Sequence, residues 1–171
     1  MKLKKAFYKQ DALTVAPSLI GKLLCRKLPN GEVLKVRITE TEAYRGEEDT
    51  ACHARAGKTP RTEIMYGEGG FAYIYLIYGL HYLLNVVTGN KNEPQAVLIR
   101  AAEGFSGPAK LTKALQIDKT LNGCNLTENT LWLEDDGFRA TYKTSKRIGI
   151  DYACDKYRNI EWRFILSESG A

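Results

Sequence analysis

Apolar and polar residues alternate in several short runs of this chain, a pattern that predicts β-strands. Residues 18–38 contain two such runs joined through Asn30-Gly31. Both of these residues tolerate positive φ angles, so the pattern predicts a β-hairpin and argues against two helices joined by a glycine-bearing turn. Further strands are predicted at residues 95–102, 131–134 and 162–166.

The most aromatic segment, residues 73–87, holds four of the chain's ten tyrosines around Gly79. It predicts a second hairpin with an unusual tip, because Tyr78 stands beside the glycine where a small polar residue is ordinary. An aromatic ring at a hairpin tip is typical of a protein that inserts it between other groups. In a basic chain, the natural recipient is a stack of nucleic-acid bases.

Helices are predicted to be few and short. Residues 45–70 are polar, glycine-bearing and weakly periodic, which predicts a long functional loop with a short helix near residue 50. Gly107-Pro108 is a good helix start, and Leu111 and Leu115 are spaced for a short amphipathic helix. We therefore predict one mixed α/β (α+β) domain over residues 1–171, built around a mainly antiparallel sheet.

The composition is that of a globular domain, with 44% hydrophobic and 26% charged residues among 171. This length suits one well-packed domain. The net charge of +5 and the pI of about 9.0 favour polyanionic partners. Neither a signal peptide nor a run of roughly 18–20 apolar residues is visible, so we expect a cytoplasmic protein that contacts no membrane.

The most basic long stretch is residues 139–163. It holds seven lysines and arginines, at 139, 143, 146, 147, 156, 158 and 163, against three acidic residues. A phosphate-facing surface and an ordinary solvated face are both compatible with such a charge run. Charge alone leaves the two interpretations open.

The cysteines predict no metal site. Cys25, Cys52, Cys124 and Cys154 are far apart without a Cys-x-x-Cys pair, so free thiols are expected. Cys52-His53 is the only adjacent Cys/His pair, and a zinc site would need distant ligands that no spacing marks. We expect neither a metal nor a cofactor.

Two glutamates on one predicted strand are candidates for catalysis. Alternation places Val36, Ile38, Glu40, Glu42 and Tyr44 on one strand face, which begins apolar and ends in carboxylates. A glutamate on such a face is desolvated, which raises its pKa and suits a general base. Alternatively, the strand leaves the core after Ile38 and both acids are solvated. Strand geometry also separates the two glutamates by ~7 Å, a spacing compatible with inverting glycosidases and shared by many surface strands.

Several short motifs follow one another in order along residues 18–165. They are Glu40-Thr-Glu-Ala-Tyr, then Asp49, Ala51 and His53, then Thr59-Pro-Arg, Tyr75-Leu-Ile-Tyr-Gly, Asn85, Val97-Leu-Ile-Arg-Ala and Gly107-Pro-Ala-Lys-Leu. Each motif is weak alone, but their order and aromatic content are highly specific. The chain resembles the alkyladenine (3-methyladenine) DNA glycosylase family.

The resemblance implies a fold and an activity. The fold is a single α+β domain in which short helices flank a curved, mainly antiparallel sheet with a protruding β-hairpin. The activity is hydrolysis of the N-glycosidic bond of alkylated or deaminated purines in duplex DNA, by base flipping, as the first step of base excision repair. Water is the nucleophile, so no lysine Schiff base or strand cleavage is expected.

The resemblance also assigns roles to individual residues. Glu42 matches the general base that deprotonates the attacking water, and Arg100 matches a residue that holds this water and the carboxylate in place. Tyr44, His53 and Tyr75 match the walls of the pocket that receives the flipped base.

Three hairpin residues complete the implied site. Tyr78 matches the wedge that fills the gap in the duplex, and Asn85 matches a pocket residue that clashes with the 2-amino group of guanine. Regular alternation places Tyr75 and Tyr78 on opposite faces, so that one lines the pocket while the other projects from the tip. His81 lies outside the motif; it touches DNA or, as the more ordinary role, packs on the hairpin.

The implied partner is double-stranded DNA containing damaged purines, bound by a monomer associated with the nucleoid. Cationic 3-methyladenine and 7-methylguanine are good leaving groups that aromatic faces attract. Neutral hypoxanthine and ethenoadenine need help to leave, and no second catalytic acid stands out. Two other functions are compatible with the residues alone: a non-catalytic module that binds damaged DNA, and a carbohydrate hydrolase that uses Glu40 and Glu42.

Overall fold

The computed structural model describes residues 1–169, and within them the chain forms four short α-helices and eight β-strands. The helices are α1 (Lys5–Tyr8), α2 (Ala12–Ser18), α3 (Pro108–Ala114) and α4 (Asp155–Asn159). The strands are β1 (Leu23–Lys27), β2 (Val33–Arg45), β3 (Ala72–Ile77), β4 (His81–Thr88), β5 (Gln95–Ala102), β6 (Leu131–Glu134), β7 (Ala140–Ser145) and β8 (Arg163–Ser169). No helix in this part of the chain is long and apolar enough to cross a membrane.

All eight strands belong to one curved antiparallel sheet. Strands β3, β4, β5, β2, β1 and β6 lie side by side in that order, and β8 pairs with both β2 and β7. At 13 residues, β2 is long enough to hold the sheet together. Its first half pairs with β1, and its second half lies between β5 and β8. The predicted α+β class with a mainly antiparallel sheet is confirmed.

The local predictions from sequence are largely confirmed. Strands β1 and β2 form the hairpin around Asn30-Gly31, and β3 and β4 form the aromatic hairpin around Gly79. Helix α3 begins directly after Gly107, with Pro108 in its first turn. The helix predicted near residue 50 is a single 3-10 turn at His53–Ala56, and a second such turn follows at Glu63–Tyr66.

Two apolar clusters lie on opposite faces of this sheet. Neighbouring residues of a strand point to opposite faces, and Val86 and Val87 on β4 belong to different clusters. The larger cluster lies under α2 and α3 and includes Leu19, Leu84, Ile99 and Leu111. The smaller cluster lies under the loop that follows β2 and includes Cys52, Met65, Tyr66 and Tyr73. Tyr44 and Tyr75 pack against the smaller cluster, so the aromatic site lies on that face.

Irregular pairing between β2 and β5 changes which side chains share a face. The pairing skips Thr39 on β2 and Arg100 on β5, so each strand contains a β-bulge. Strict alternation would put residues five apart on opposite faces, yet Ile38 and Ala43 lie in the same cluster. The predicted continuous face that carries both Ile38 and Glu42 is therefore wrong. Glu42 lies on the opposite face, beside the smaller cluster.

The basic stretch at residues 139–163 does not form one surface. The side chain of Arg147 is fully buried against Asp49, and Arg163 lies 3.5 Å from Glu40. Exposed basic side chains remain at positions 139, 143, 146 and 156. Part of this positive charge therefore organises the interior and is not available to phosphates.

Candidate active site

The Glu42 side chain lies near the end of β2 and is completely buried, with an exposed fraction of 0%. Its two carboxylate oxygens accept hydrogen bonds from different donors. The Tyr44 hydroxyl donates to Oε1 at 2.9 Å, and the Ile148 amide donates to Oε2 at 2.7 Å. The carboxylate is thus held in one orientation between its own strand and the segment that precedes α4.

The β-bulge at Arg100 directs a cation at the same carboxylate. Nε of Arg100 lies 3.3 Å from Oε2 of Glu42, which is ion-pair distance. Its N–H is not aligned for a hydrogen bond, and this nitrogen has no hydrogen-bond partner among residues 1–169. The attraction is therefore electrostatic. Bulges beside active sites commonly re-aim a side chain in this way.

Burial and these contacts act on the pKa of Glu42 in opposite directions. Burial has the largest effect and raises the pKa, whereas the Arg100 cation, the Ile148 amide, the Tyr44 hydroxyl and the Arg147 cation lower it. Burial prevails, so the pKa of Glu42 lies above the ordinary value of a glutamate. A carboxylate of this kind accepts a proton more readily than a solvated one.

A cavity of about 630 Å³ lies beside Glu42. Its walls contain Tyr44, Arg100 and Ile148, each of which also contacts Glu42. The carboxylate therefore lies directly behind the cavity wall. Aromatic side chains line much of the remainder: His53, Tyr73, Tyr75, Tyr78 and Tyr152. The volume is within the usual range of small-molecule sites, roughly 300–1,000 Å³.

Three rings contact one another on one side of the cavity. The ring centroids of His53 and Tyr75 are 4.5 Å apart in an edge-on arrangement, and those of Tyr73 and Tyr75 are 5.5 Å apart. Nδ1 of His53 lies 2.8 Å from the Tyr73 hydroxyl. Burial, followed by the nearby Arg61 and Arg55 cations, lowers the pKa of His53 to about 4. The imidazole is therefore neutral at pH 7.

Asn85 lines the cavity from β4 and is only 3% exposed. Its Nδ2 donates a hydrogen bond to the Tyr73 carbonyl on β3 at 3.2 Å. This bond fixes the orientation of the amide. Tyr73 thus holds two other cavity residues, Asn85 through its carbonyl and His53 through its hydroxyl.

The hairpin tip carries an exposed ring on an unfavourable backbone. Tyr78 is 89% exposed, and its φ of +52° is rare for a large side chain. Gly79 follows with a φ of +66°, and the neighbouring Leu80 is 75% exposed. Positive φ angles at both tip residues are typical of a tight two-residue hairpin turn, and a large side chain in that conformation is strained.

One expectation about the hairpin is confirmed in part. Tyr78 projects from the tip as expected, but it lies in the turn beyond the end of β3, where strand alternation no longer applies, and it lines the same cavity as Tyr75. His81 is exposed at the start of β4, and its role stays a prediction.

Residues 6–106 and 103–170 match the sequence profile of the methylpurine-DNA glycosylase (MPG) family. The chain belongs to this family. As its ordered motifs predicted, it is a DNA N-glycosylase.

Three relatives carry the provisional name 3-methyladenine DNA glycosylase. The protein from Psychrobacter cryohalolentis is 46% identical, over 90% of this chain and 86% of its own length. The relative from Desulfitobacterium hafniense is 42% identical, over 98% of this chain and 96% of its own length. The relative from Borreliella burgdorferi is 45% identical, over 98% and 97% respectively. The similarity extends over nearly the whole chain.

The glycosylase brings the residues predicted from sequence together in space. Six of them line the cavity, namely Tyr44, His53, Tyr75, Tyr78, Asn85 and Arg100. Glu42, the predicted general base, lies behind its wall. Their individual roles in the reaction stay predictions.

Sequence reasoning missed a buried ion pair beside the site. The side chains of Arg147 and Asp49 are both 0% exposed and form two hydrogen bonds, at 2.7 Å and 2.9 Å. Arg147 was expected only as one charge of the basic stretch. The available signal was Asp49, an acidic residue that the ordered motifs include and that needs a cation when it is buried. Tyr73 and Ile148 were missed in the same way.

Proposed function

We propose that this glycosylase removes alkylated and deaminated purines from double-stranded DNA, with Glu42 as the general base and without a cofactor. The observation that carries the proposal is the Glu42 carboxylate, fully buried behind the wall of an aromatic cavity and held by Tyr44 and Ile148. A protein that only bound damaged DNA would gain nothing from this group, because burying a carboxylate is unfavourable.

The cavity can receive a purine only after the base has left the duplex stack. Extrusion of a nucleotide requires a few kcal/mol, and less when the base is damaged or mispaired. Tyr78, exposed at the hairpin tip and at the edge of the cavity, is suited to occupy the vacated space. Stacking of its ring between base pairs would recover part of the free energy of extrusion. We therefore infer that the enzyme flips its target base.

The contacts between rings limit where the flipped base can lie. The ring centroids of His53 and Tyr75 are only 4.5 Å apart. A base stacked between two rings needs those rings to be roughly 7 Å apart, twice the van der Waals contact distance, so the flipped base does not fit between them. We infer that these two rings form one wall and that Tyr44 forms the opposite wall. Electron-rich rings on both sides attract a cationic base, and a neutral imidazole does not oppose it. Asn85 would then meet the 2-amino group of a guanine and disfavour it.

The proposed chemistry is hydrolysis by one water molecule. Glu42 takes a proton from the water as its oxygen attacks C1′ of the deoxyribose. The bond between C1′ and the base nitrogen breaks, and its electron pair leaves with the base. Cationic 3-methyladenine and 7-methylguanine leave as neutral molecules, whereas hypoxanthine and ethenoadenine need a proton from elsewhere. Because Tyr44, Arg100 and Ile148 enclose Glu42, we infer that one of them moves on DNA binding to admit the water.

We also propose that the enzyme acts as a monomer on nucleoid DNA in the cytoplasm. The net charge of +5 favours a polyanionic partner.

The test is a panel of lesions presented in duplex and in single-stranded DNA. Oligonucleotides that carry 3-methyladenine, 7-methylguanine, hypoxanthine, ethenoadenine or no lesion are incubated with the wild-type enzyme and then heated in alkali. We expect alkali-dependent cleavage of the damaged duplexes, fastest for the cationic bases. Cleavage without alkali, or a borohydride-trapped adduct, would contradict a monofunctional reaction. The absence of alkali-labile sites from every lesion would contradict the proposed function.

A further inference from the structure

Arg147 neutralises the charge of Asp49 and also forms hydrogen bonds with other parts of the fold. In addition to the two bonds with that carboxylate, Nη1 donates to the Ala43 carbonyl at 3.0 Å, and Nη2 donates to the Tyr157 carbonyl at 3.1 Å. A guanidinium is planar and presents its donors in fixed directions. One side chain therefore ties together β2, the loop after β2 and helix α4.

The guanidinium of Arg147 lies against the ring of one donor to Glu42, and Arg147 directly precedes the other donor in the chain. Its central carbon is 4.9 Å from the ring centroid of Tyr44, whose hydroxyl donates to Oε1 of Glu42. The ring of Trp162 lies 5.0 Å away. The next residue along the chain, Ile148, supplies the amide that donates to Oε2. Arg147 thus reaches the carboxylate by two routes, through a ring contact and through its own peptide bond.

We propose that Arg147 is a positioning residue for the glycosylase reaction. By anchoring the peptide between residues 147 and 148 and bracing the ring of Tyr44, it maintains both hydrogen bonds that orient the Glu42 carboxylate. Arg147 is not among the residues that line the cavity, so it acts through Ile148 and Tyr44 and not on the base itself. The proposal rests on the proposed role of Glu42 as the general base.

Other charged and titratable groups also face Glu42 from the elements packed around it. Tyr44 on β2, Tyr75 on β3, Arg100 on β5 and Arg147 interact electrostatically with Glu42. Arg163 lies opposite Glu42 on β8 and pairs with Glu40, two residues before Glu42 on β2, while Asp49 pairs with Arg147. The charge of Arg147 lowers the pKa of Glu42 less than the Ile148 amide does. Loss of the amide hydrogen bond is therefore the larger expected consequence of removing Arg147, and it raises the pKa of Glu42.

Two substitutions separate charge from geometry. Arg147→Lys keeps the positive charge but cannot reproduce four directed hydrogen bonds, and Arg147→Met removes both. The matched control is Arg26→Lys, because Arg26 is also buried, at 7% exposed, and also donates to backbone carbonyls, those of Lys27 and Gln116. If Arg147→Met does not fold, Arg147→Lys and Asp49→Asn, which loosens the anchor, provide the test.

The first readout requires no enzymatic activity. Nuclear magnetic resonance follows the Ile148 amide through a pH titration and through hydrogen exchange. In the wild type we expect this amide to sense the titration of Glu42 and to be protected. In Arg147→Lys we expect the Ile148 amide to exchange at least about tenfold faster, because its hydrogen bond to Glu42 breaks more often. For the same reason, we expect Glu42 to titrate at a higher pH. Arg26→Lys should retain the wild-type behaviour of this amide.

The second readout is single-turnover excision of 3-methyladenine against pH. We expect the acid limb to move to higher pH in Arg147→Lys and further in Arg147→Met, with a loss on the order of tenfold or more at pH 7. A fall in thermal stability with an unchanged Ile148 amide and an unchanged acid limb would overturn the proposal. If the wild type excises no lesion, the proposed function fails, while the amide titration still decides whether Arg147 orients Glu42.

Discussion

The Tyr44 hydroxyl donates a hydrogen bond to Oε1 of Glu42 at 2.9 Å, and the ring of the same tyrosine lines the cavity. One side chain thus belongs both to the proposed wall against the base and to the surroundings of the proposed catalytic carboxylate. Burial, followed by the charge of Glu42, holds the pKa of Tyr44 well above its ordinary value. The hydroxyl therefore remains a donor over the whole working pH range.

Tyr44→Phe should separate these two functions. The ring is retained, so binding of lesion-containing duplex should change little. Loss of the hydroxyl raises the pKa of Glu42, so the acid limb of the excision rate should move to higher pH, with a loss of about tenfold near pH 6. Single-turnover rates from pH 5 to 9 check this, with Tyr142→Phe on the exposed strand β7 as the control. Superimposable profiles for wild type and Tyr44→Phe would contradict the coupling.

Glu42→Gln should stabilise the protein at neutral pH. The pKa of Glu42 is raised above its ordinary value of 4.5, so stability is highest below that pH and is lost as the native carboxylate ionises. The amide carries no charge and avoids this loss, so the free energy of unfolding at pH 7 should be higher than in the wild type. Urea unfolding at pH 7 and pH 4.5 measures the gain, which should shrink at the lower pH. Glu40→Gln is the matched control, and a destabilised Glu42→Gln would argue against a desolvated carboxylate.

His53 should make stability depend on pH in a defined window. Folding lowers the pKa of His53 from the ordinary 6.5 to about 4. Between these two pH values, the unfolded chain therefore binds a proton at this residue that the native state does not bind. The free energy of unfolding should therefore fall as pH drops from about 6.5 to about 4, with a slope of at most about 1.4 kcal/mol per pH unit for one proton. His53→Gln should flatten this slope, and His81→Gln, which removes an exposed histidine, is the comparison. Equal slopes for wild type and His53→Gln would refute the neutral buried imidazole.

Tyr78→Gly should change stability and activity in opposite directions. Glycine adopts the φ of +52° without the strain that a tyrosine suffers, so the free energy of unfolding should stay equal or rise by up to about 1 kcal/mol. Excision from duplex should fall, on the order of tenfold, because the stacking ring is gone. Tyr78→Trp should retain most of the rate. Thermal unfolding and single-turnover excision test both effects, and full activity of Tyr78→Gly would exclude a wedge.

Strand pairing and the aromatic hairpin follow from the sequence because they are local. Alternation and the Asn30-Gly31 and Tyr78-Gly79 turns depend on residues close in the chain, and the structure contains both hairpins. The face of Glu42 does not follow, because the bulges at Thr39 and Arg100 arise from pairing between two distant strands. The sequence predicted a buried Glu42 because alternation placed it on the same strand face as Ile38, but its side chain lies on the opposite face. Tyr44, Arg100 and Ile148, which enclose the carboxylate, provide that burial instead.

The residues that hold the site in place could not be predicted from the sequence either, because they are distant from one another in the chain. Arg147 and Asp49 are 98 residues apart in the chain and meet only in the folded protein. A basic stretch such as residues 139–163 predicts a solvent-exposed surface when the acidic residues that pair with its cations are not known. The motifs located the residues that line the cavity, whereas the contacts that hold Glu42 in place required the three-dimensional arrangement.

The most direct test is single-turnover excision of 3-methyladenine from duplex DNA by Glu42→Gln at pH 7, compared with wild type at saturating enzyme. Glutamine preserves the shape of the side chain but cannot accept the proton of the attacking water. We predict a rate loss of roughly 10²- to 10⁴-fold, the usual contribution of a general base, with lesion-DNA binding retained. A Glu42→Gln rate within about threefold of wild type would contradict the assignment of Glu42 as the base.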